Sequence, residues 1–446
     1  MNYIIATLGC KVNQYESEAM DLLLRSHGHA PAPAGTPADA VLLNSCAVTA
    51  EGERKARQTL RRLKAENPAA LLCVCGCWSQ LKPEAARELG AAVIYGTGNR
   101  AAFVAAVEEA FARRSAAPAA EEKAPAVVST ETEPDFYCHR NTRLPLPFEE
   151  LPSGAYAGHA RAYLKIQDGC DNYCTYCIIP YTRGRICSLP VEKCAAEYAA
   201  LADKGYKEIV LTGIEIASYG RDLPDKPSLK DACLAMAAAA PGVRMHLGSL
   251  EPRIITPDFV EVLKGVNLCP HFHLSLQSGC DATLHRMNRR YTTERFYKSV
   301  ELLRGAFPNA AITTDVITGF PGETEAEFEE TLAFLRRCAF AAAHVFPYSV
   351  RPGTPAAKMP GAVPQKEMAA RAARASAVAE ETGAAFLDSL RGETLQALFE
   401  TEKDGFCFGH TENYCELRLP GTGLRNNIIA VKITGREGKI LTGLPL

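Results

Sequence analysis

The sequence predicts an α/β protein with three parts: an open parallel α/β domain, a partial (βα)6 barrel and a small all-β barrel. Short apolar runs alternate with amphipathic stretches over most of the chain, which is typical of parallel strands joined by right-handed helical crossovers. The 446 residues leave room for about three domains at roughly 150 residues each. Near the C-terminus the runs are short and separated by Gly, Asn and Pro, which favours a β barrel.

The first predicted domain covers residues 1–114, and its apolar runs predict parallel strands at residues 2–8, 40–44, 70–75 and 91–95. A linker is predicted at residues 115–150. Its first part, residues 115–134, contains six Ala, three Pro and four Glu but no aromatic residue, so it offers little that could anchor a core.

The central domain, residues 151–389, has six predicted strand–helix units, which favour an incomplete barrel. Its strands are expected near residues 162–168, 207–213, 244–250, 271–277, 310–318 and 341–348. A long Ala-rich helix at 365–390 closes this domain. The last domain, residues 390–446, has predicted strands at 394–399, 407–411, 414–419 and 428–434.

The composition limits the function classes. Lys and Arg total 49 against 51 Asp and Glu, a net charge of -2, so a nucleic acid would have to be bound by local basic patches. The apolar runs fall far short of the ~18 residues that a membrane span needs, and residues 1–10 do not resemble a secretory signal. We therefore expect a cytoplasmic protein, whose 17 cysteines serve as thiols, metal ligands or catalytic groups rather than disulfides.

One cysteine motif points to an iron–sulfur cluster. The segment DGCDNYCTYCIIP places Cys170, Cys174 and Cys177 in a C-x3-C-x2-C run directly after a predicted strand. Three thiolates on one loop can ligate three irons of a cubane and leave the fourth iron open for substrate chemistry. A zinc site would more usually take four ligands from paired Cys or Cys/His knuckles.

This motif resembles the signature of the radical S-adenosylmethionine superfamily, in which the open iron binds S-adenosyl-L-methionine and one electron cleaves it to methionine and a 5′-deoxyadenosyl radical. The resemblance implies that Tyr176 packs near this cofactor. It also implies cofactor contacts at the downstream strand ends, at Thr212, Gly213, Ser249, Glu251, Asp315 and Gly319.

The strand HFHLSLQ has a polar face that suggests a lined cavity. Its period of two puts His271, His273, Ser275 and Gln277 on one side, and Gln277 is therefore another expected cofactor contact. Alternatively, neighbouring side chains satisfy each histidine. Gly319 and Gly322 would let the backbone approach a ligand closely, or they serve a turn.

A second cysteine set is spread along the first domain. Cys10, Cys46 and Cys77 each follow one of the first three predicted strands, and parallel strands present their carboxyl ends at one edge, where ligands bind. The segments TLGCKVNQYES, LLNSCAV and CGCWSQ resemble the N-terminal domain of the methylthiotransferase family, which holds a second iron–sulfur cluster on three such cysteines. The remaining cysteines of interest are interpreted as small buried hydrophobes: Cys73, Cys75, Cys187, Cys194, Cys233, Cys269, Cys280 and Cys338.

The resemblance extends over nearly the whole chain. HLSLQSG, RMNRRYT and FPYSVRPGTPAA match the radical barrel of the family, and the C-terminal domain resembles the TRAM RNA-binding module. GCKVNQYES is similar to the branch that acts on threonylcarbamoyl-adenosine beside the tRNA anticodon. The resemblance implies a tRNA methylthiotransferase with two 4Fe-4S clusters. The cluster on Cys10, Cys46 and Cys77 would deliver sulfur, and the cluster on Cys170, Cys174 and Cys177 would start the radical.

The implied partners are the tRNA anticodon loop and an electron donor such as flavodoxin or ferredoxin, and we expect a monomer that does not bind a membrane. Two alternatives keep the same chemistry and change the substrate to isopentenyladenosine in tRNA or to a ribosomal-protein side chain. An alternative of another class is a non-catalytic iron–sulfur electron carrier.

Three features bear on RNA binding. RGRICSL keeps Arg183 and Arg185 but has Cys187 and Leu189 where arginines are common in the family. Residues 392–446 contain six Lys/Arg and seven Asp/Glu, so the TRAM-like domain lacks the usual basic footprint. The helix predicted after Cys46 has a basic half, which is either solvated or in contact with tRNA phosphates: Arg54, Lys55, Arg57, Arg61, Arg62 and Lys64.

Overall fold

A computed structural model gives the fold and describes residues 1–116, 127–129, 147–154 and 160–446. The described chain forms two compact units. The first contains the residues up to 154 together with 167–171 and 177–189, and the second contains 160–166, 172–176 and 190–446. In the described part of the chain, no helix is both long and apolar enough to cross a membrane.

The first unit is built on a six-stranded sheet in which every neighbouring pair is parallel. Its strands are β1 (Asn2–Thr7), β2 (Ala30–Pro31), β3 (Ala40–Ser45), β4 (Leu71–Gly76), β5 (Val93–Tyr95) and β6 (Val127–Ser129). The order β2-β1-β3-β4-β5-β6 reverses direction between β1 and β3, which makes that point of the sheet a topological switch point.

The four strands predicted for this domain are confirmed, and two short strands are added. The strand β6 lies within the segment predicted as a linker, where it pairs with β5. Residues 115–116 of that linker prediction instead end the helix Arg100–Ala116. Residues 147–150 are described, and residues 117–126 and 130–146 lie outside the described residues.

Helices cover both faces of this sheet. They are α1 (Lys11–Ser26), α2 (Ala50–Glu66), α3 (Cys77–Leu81), α4 (Pro83–Glu88) and α5 (Arg100–Ala116). Successive residues of β3 enter opposite cores: Val41 and Leu43 pack with Leu60, while Leu42 packs with Phe103. Burial on both faces explains why these strands are continuous apolar runs rather than alternating ones.

The first unit also contains a small hairpin-like element. The strands β8 (Gln167–Asp168) and β9 (Cys187–Ser188) pair antiparallel, and a short helix, Ile179–Arg183, lies between them in the chain. The proline in its first turn, Pro180, is at a position that helices tolerate well.

The second unit contains the six predicted strand–helix units. Its strands are β7 (Arg161–Lys165), β10 (Glu208–Thr212), β11 (Arg244–Leu247), β12 (His271–Gln277), β13 (Ala311–Thr318) and β14 (Ala342–Pro347). They form two parallel three-stranded sheets, β11-β10-β7 and β12-β13-β14. Single bridges, Met245–Leu268 and Leu250–Leu274, join these sheets, so the strands form one curved surface.

Seven α-helices flank these strands in the described residues of the second unit: Val191–Asp203, Leu229–Ala239, Pro257–Lys264, Asp281–Arg286, Thr293–Ala306, Glu325–Cys338 and Gln365–Ser389. Two of them begin with a capping box, at Ser228 and at Thr324, which satisfies backbone N–H groups that a helix start leaves free.

The C-terminal residues form a closed five-stranded barrel. Its strands are β15 (Thr394–Lys403), β16 (Phe406–Thr411), β17 (Glu416–Pro420), β18 (Ile428–Glu437) and β19 (Ile440–Pro445), in the order β15-β16-β17-β19-β18. Four of these were predicted. The fifth, β19, was missed because Gly443 and Pro445 interrupt its apolar pattern. A Cβ at Gly443 would lie 2.5 Å from Val431 Cγ1, so close strand packing requires this glycine.

Candidate functional site

Three cysteines follow the three adjacent central strands of the first sheet. Cys10, Cys46 and Cys77 come after β1, β3 and β4. Cys10 is the N-cap of α1 and Cys77 is the first residue of α3. A Cβ built on Gly9 would lie 3.1 Å from Cys46 Cβ, so the loops that carry Cys10 and Cys46 meet at the switch point, where open α/β sheets bind ligands.

Two buried asparagines hold the Cys10 and Cys46 loops together. Asn13 Nδ2 donates to Asn44 Oδ1 at 3.0 Å and to the Ser45 carbonyl oxygen at 3.1 Å, and Asn44 Nδ2 donates to the Asn13 carbonyl oxygen at 3.0 Å. The Cys10 thiol donates to Asn13 Oδ1 at 3.3 Å. These hydrogen bonds explain why the segments TLGCKVNQ and LLNSC each contain an asparagine.

Glycine is required before the third cysteine. Gly76 has φ +102°, and a Cβ there would lie 2.4 Å from the Ser45 carbonyl oxygen and 2.7 Å from Asn44 Oδ1. A side chain at this position would force β3 and β4 apart or displace Asn44. The close contact brings Cys77 next to the loop of Cys46.

The three thiols differ in their surroundings. Cys10 is exposed, Cys46 is half-buried and Cys77 is buried. Burial raises the pKa of the Cys77 thiol to about 12, against the opposing charge of Arg183, and burial also raises the pKa of Cys46. Metal binding would release these protons, because thiolates are the ligands of iron and zinc. Cys10 gives this set of thiols an open side.

A buried network of charges lies next to these thiols in the first unit. Glu16 pairs with Arg100 (Nη2–Oε2 2.7 Å) and with Arg183 (Nη1–Oε1 2.9 Å), and all three side chains are at most 1% exposed. Arg183 also pairs with Asp168 at 3.0 Å. Two arginines balance two carboxylates, which is the condition for burying ionised groups without a large desolvation penalty.

The second set of cysteines lies on one loop, because Cys170, Cys174 and Cys177 are close together in the sequence. In the first unit, Cys170 N donates to the Gly184 carbonyl oxygen at 3.1 Å. Gly169 has φ +68°, and a Cβ there would lie 1.8 Å from the Arg185 carbonyl oxygen. The Gly-Cys pair of the motif is therefore fixed by close backbone contact.

In the second unit, the segment RMNRRYT holds the middle of the loop. Arg289 Nη1 donates to Cys174 Sγ at 3.3 Å and Arg289 Nη2 donates to the Ser275 carbonyl oxygen at 3.1 Å. Asn288 Nδ2 donates to the Tyr173 carbonyl oxygen at 3.0 Å. A buried arginine beside this cysteine could donate to sulfur in an occupied site.

A small cavity lies beside Cys174. Its empty volume is about 160 Å³, and its walls include Glu251, Arg253 and Arg289. Glu251 pairs with Arg253 at 2.6 Å. Both signs of charge thus face a space next to a cysteine, which suits the ammonium and carboxylate groups of an amino acid.

Glu215, which the sequence analysis did not single out, lies near this cavity. It accepts a hydrogen bond from Asn172 Nδ2 at 3.1 Å. Burial, together with the Glu251 carboxylate, raises the pKa of Glu215 to about 7. A carboxyl group that titrates near neutral pH in a cleft is a candidate functional group.

The other expected cofactor contacts occupy carboxyl ends of the parallel strands. Thr212 ends β10 and Gly213 follows it, Ser249 follows β11, and Gln277 ends β12 with φ +71°. Their roles in cofactor binding stay predictions.

Two of the predicted positions also have clear structural roles. The Tyr176 ring packs edge-on against Phe320, with centroids 6.5 Å apart, in an apolar cluster with Met287. Gly319 has φ +72°, and a Cβ there would lie 2.2 Å from Met368 Cγ, so the packing of the long helix Gln365–Ser389 already requires glycine.

The polar face of β12 is engaged by its neighbours. His271 Nε2 and His273 Nδ1 contact Thr313 Oγ1 at 3.0 and 3.1 Å, and His273 Nε2 lies 3.3 Å from Asp315 Oδ2. The structure favours the alternative that these histidines are satisfied locally. Asp315 is also held by this contact, although its side chain is one-third exposed.

A third cluster, Glu208, His246 and Cys269, has its ligand atoms close together in the barrel. Glu208 Oε1 is already bound by Arg161 Nε at 2.6 Å and by His246 Nδ1 at 3.0 Å. Against the effect of burial, the hydrogen bond from His246 and the charge of Arg161 hold the pKa of Glu208 well below its usual range. We interpret this cluster as a structural ion pair rather than a metal site.

The basic half of α2 is exposed, as predicted. Arg54 pairs with Glu51 and Arg62 pairs with Glu66. Arg57 and Arg61 have no acidic partner among the residues that the structure describes. Ala56, Leu60 and Leu63 are buried on the opposite side. Two unpaired arginines on a helix that begins four residues after Cys46 are suited to bind phosphate.

All eight cysteines interpreted as small hydrophobes are buried. The candidate functional residues that the sequence alone does not single out are Asn13, Asn44, Glu215 and Arg289. Three of them lie inside quoted motifs, but only the fold shows what they contact. Glu215 lies outside those motifs and carries no signal in a single sequence.

Two family models match the chain. One is the Radical SAM superfamily, at residues 164–335, and the other is Uncharacterized protein family UPF0004, at residues 2–96. Among solved structures, the radical S-adenosylmethionine methyltransferase TsrM from Kitasatospora setae, with cobalamin and a [4Fe-4S] cluster bound, has a TM-score of 0.53 at 14% identity and covers 92% of this chain and 81% of its own. That likeness supports the fold alone.

Curated relatives are similar over almost the whole length. The threonylcarbamoyladenosine tRNA methylthiotransferase MtaB of Bacillus subtilis is 36% identical, over 96% of this chain and 92% of the relative. MtaB of Thermotoga maritima is 34% identical over 98% of this chain and 95% of the relative. A tRNA-2-methylthio-N(6)-dimethylallyladenosine synthase of Bacillus pumilus is 34% identical over 99% of this chain and 85% of the relative.

Proposed function

The chain belongs to the radical S-adenosylmethionine methylthiotransferase family, and from this membership we propose that it adds a methylthio group at C2 of N6-threonylcarbamoyladenosine, next to the anticodon of tRNA. The observation that carries the proposal is similarity over 96% and 98% of the chain to two relatives named for this nucleoside. The separate cysteine triads of the strand ends and of the barrel loop supply the chemistry it needs.

As a member of the family, the protein uses S-adenosyl-L-methionine and two 4Fe-4S clusters. When bound, these groups supply a 5′-deoxyadenosyl radical that removes the hydrogen at C2, and the sulfur and methyl group that replace it. A C2–H bond is weakly acidic and unactivated, so acid–base catalysis alone would have little effect on it. No cysteine of either triad forms a disulfide among the described residues, and this donor set fits iron–sulfur ligation.

In the barrel, Cys170, Cys174 and Cys177 are the proposed cluster ligands. Arg289 would hold Cys174 in place and donate to sulfur, because it already donates to that side chain at 3.3 Å. The cavity next to Cys174 would take the amino-acid end of S-adenosyl-L-methionine. Its ammonium group would face Glu251 and its carboxylate group would face an arginine of the cavity wall.

Near the first sheet, Cys10, Cys46 and Cys77 are the proposed ligands of the second cluster. Asn13 and Asn44 would fix the spacing of the loops that carry Cys10 and Cys46. Burial of Cys77 would exclude water from one side, and the exposed Cys10 would leave the other side open to the substrate. An unpaired loop such as the anticodon loop can present a splayed base to such an opening.

The proposal extends to partners and location. Arg57 and Arg61 of α2, which have no acidic partner among the described residues, are the proposed phosphate contacts for tRNA. We propose a flavodoxin or a ferredoxin as the electron donor, a monomeric enzyme, and a cytoplasmic location, where tRNA and reducing power are both present.

The second candidate substrate is dimethylallyl-adenosine (isopentenyladenosine), because relatives named for that nucleoside reach 34% identity over 99% of this chain. The experiment that separates the candidates supplies the anaerobically reconstituted enzyme with two purified tRNAs, one carrying threonylcarbamoyladenosine and one carrying dimethylallyladenosine. Nucleosides are then digested and analysed by mass spectrometry.

A methylthio product from the threonylcarbamoyl tRNA alone supports the proposal. Product from the dimethylallyl tRNA alone transfers the protein to the other branch. Failure on both, with modification of a ribosomal protein, would contradict a tRNA substrate. C77A tests whether product formation needs the strand-end triad, and C73A is its matched control, since Cys73 is equally buried in β4 but outside the triad.

A further inference from the structure

Arg183 occupies an unusual position for a charged residue. It is the last residue of the short helix Ile179–Arg183 and comes six residues after Cys177 in the chain. Its side chain is 1% exposed, and it lies in the first unit with Cys10, Cys46 and Cys77. Arginine is almost never fully buried unless it is paired, so its contacts should explain its place.

Four of the five N–H groups of Arg183 lie on the two Nη atoms, and both atoms have partners. Nη1 donates to Glu16 Oε1 at 2.9 Å and to Asp168 Oδ2 at 3.0 Å, and Nη2 donates to Asn13 Oδ1 at 3.1 Å. The fifth group, Nε–H, is buried and has no acceptor among the described residues. A buried donor without a partner is unfavourable, so this N–H group is available for an acceptor that binds here.

The group next to Arg183 is the strand-end cysteine triad. Asn13 Oδ1 accepts hydrogen bonds both from Arg183 Nη2 and from the Cys10 thiol, at 3.1 and 3.3 Å. The positive charge of Arg183 also lowers the pKa values of Cys77 and Cys46, opposing the larger effect of their burial. The charge of Arg183 therefore acts on two of the three thiols.

We propose that Arg183 is a positioning residue for sulfur at the Cys10–Cys46–Cys77 site: its Nε–H donates to a sulfide or thiolate sulfur bound there, and its charge raises the reduction potential of that cluster. This inference rests on the proposed function, since it requires a cluster on these cysteines. Hydrogen bonds to sulfur and nearby positive charge both favour the reduced, more negative state of an iron–sulfur cluster.

The competing explanation is that Arg183 only neutralises Glu16. Arg100 provides a matched control, because it is also fully buried, pairs with the other oxygen of Glu16 and has a buried Nε without a partner among the described residues. The cysteine whose charge raises the pKa of Arg100 is Cys75, which lies outside the triad. A purely structural role predicts the same result for both arginines, whereas the proposed role predicts an effect on the cluster only for Arg183.

The test is a redox titration followed by electron paramagnetic resonance. All variants carry C170A, C174A and C177A, so that the strand-end cluster is the one observed, and iron is counted first to verify about four irons per chain. R183Q is expected to lower the equilibrium constant for reduction at least tenfold. For one electron, this is a shift of the midpoint potential by about 59 mV to more negative values. R183K, which keeps the charge and loses the Nε–H, should shift it less, and R100Q least.

Equal potentials for R183Q and the parent, or equal shifts for R183Q and R100Q, would overturn the inference. If R183Q fails to assemble its cluster, R183K decides: a more negative potential supports the hydrogen bond, and an unchanged potential contradicts it. Failure of the proposed function would look different, because the parent itself would then hold no iron on Cys10, Cys46 and Cys77.

Discussion

The two cysteine triads are built in opposite ways. Cys170, Cys174 and Cys177 lie within eight consecutive residues, whereas Cys10, Cys46 and Cys77 are separated by more than thirty residues at each step. The loop triad is kept together by chain connectivity. The strand-end triad exists only when β1, β3 and β4 pair in register and when Gly76 lets the third loop approach the second.

The residues that surround the two triads also differ: the loop triad is contacted directly, whereas Arg183 reaches the strand-end triad through another side chain. Arg289 donates directly to Cys174 from a neighbouring segment of the barrel. At the strand-end triad, two asparagines bridge the loops and Arg183 reaches the site through Asn13. We infer that the loop triad tolerates local change better, whereas assembly of the strand-end triad depends on the integrity of the sheet.

The largest expected effects come from the cysteines themselves, and they separate the two triads. C174A should abolish cleavage of S-adenosyl-L-methionine, a loss of more than about 10³-fold, because the radical step requires the barrel cluster. C77A should retain cleavage and lose the methylthio product. Both are measured by quantifying 5′-deoxyadenosine and modified nucleoside in the same reaction.

C233A is the matched control for these variants, since Cys233 is buried in the barrel and is not a proposed ligand. It should change neither quantity. Retained cleavage in a C174A protein that still holds the strand-end cluster would contradict the assignment of the two roles.

A backbone change should break the strand-end triad without touching a cysteine. G76A places a Cβ 2.4 Å from a carbonyl oxygen at a φ of +102°, so we expect a loss of about 2–4 kcal/mol in stability and loss of the iron bound near the first sheet. G28A is the control: Gly28 also has positive φ, but nothing lies within 4 Å of its added Cβ.

Iron counts and thermal unfolding of the two glycine variants test this point. We expect G28A to keep the full iron content and to lose at most about 1 kcal/mol in the free energy of unfolding. A G76A protein with unchanged iron would show that the sheet edge is more adaptable than the contacts around Gly76 indicate.

The proposed tRNA-binding surface lies on α2, whose N-terminus follows Cys46. Replacing Arg57 and Arg61 by Gln should lower the slope of log K against log salt concentration for tRNA by about 1.5, since each phosphate contact contributes roughly 0.7–0.9. The paired residues Arg54 and Arg62 give a control double variant, with a smaller expected change. If R57Q/R61Q leaves the tRNA affinity and the salt dependence unchanged, the basic half of α2 is only a solvated helix face.

The smallest effect concerns pH at the barrel site. Burial and the Glu251 carboxylate raise the pKa of Glu215 to about 7, above its unfolded value. The protonated group therefore contributes its full stability below the unfolded pKa, and this stability is lost as the pH rises through about 7. E215Q removes the charge at all pH values and keeps an oxygen to accept from Asn172.

We therefore expect E215Q to raise the free energy of unfolding at pH 8 by about 1–2 kcal/mol, which corresponds to a few degrees in melting temperature. At pH 5 the melting temperature should be nearly unchanged. E301Q, at an exposed carboxyl of the same unit, should show no such difference. Equal changes at both pH values would indicate that Glu215 is not ionised in the way described.

Much of the fold follows from the hydrophobic pattern, because burial on one or two faces leaves a period in the sequence. All six barrel strands and four strands of the first sheet were predicted in this way. The strand β6 was missed because its neighbours are rich in Ala, Pro and Glu, and β19 was missed because Gly443 and Pro445 interrupt it. Both are short edge or closing strands, whose partners are set by the tertiary fold.

The cysteines could be selected from the sequence because the motifs around them are distinctive. Their supporting residues could not be assigned roles in the same way. Glu16 and Arg183 are 167 residues apart, and Asn172 is 43 residues from Glu215. Pairs of this kind have no periodic signature, so only the packed structure identifies them.

The most direct test of the central claim, that this chain holds two clusters on two differently built triads, is a count of iron and labile sulfide. The protein is reconstituted anaerobically and compared with a variant in which Cys10, Cys46 and Cys77 are all Ala. We predict about eight irons per chain in the parent and about four in the variant. About four in both would contradict the strand-end cluster and, with it, the proposed source of the transferred sulfur.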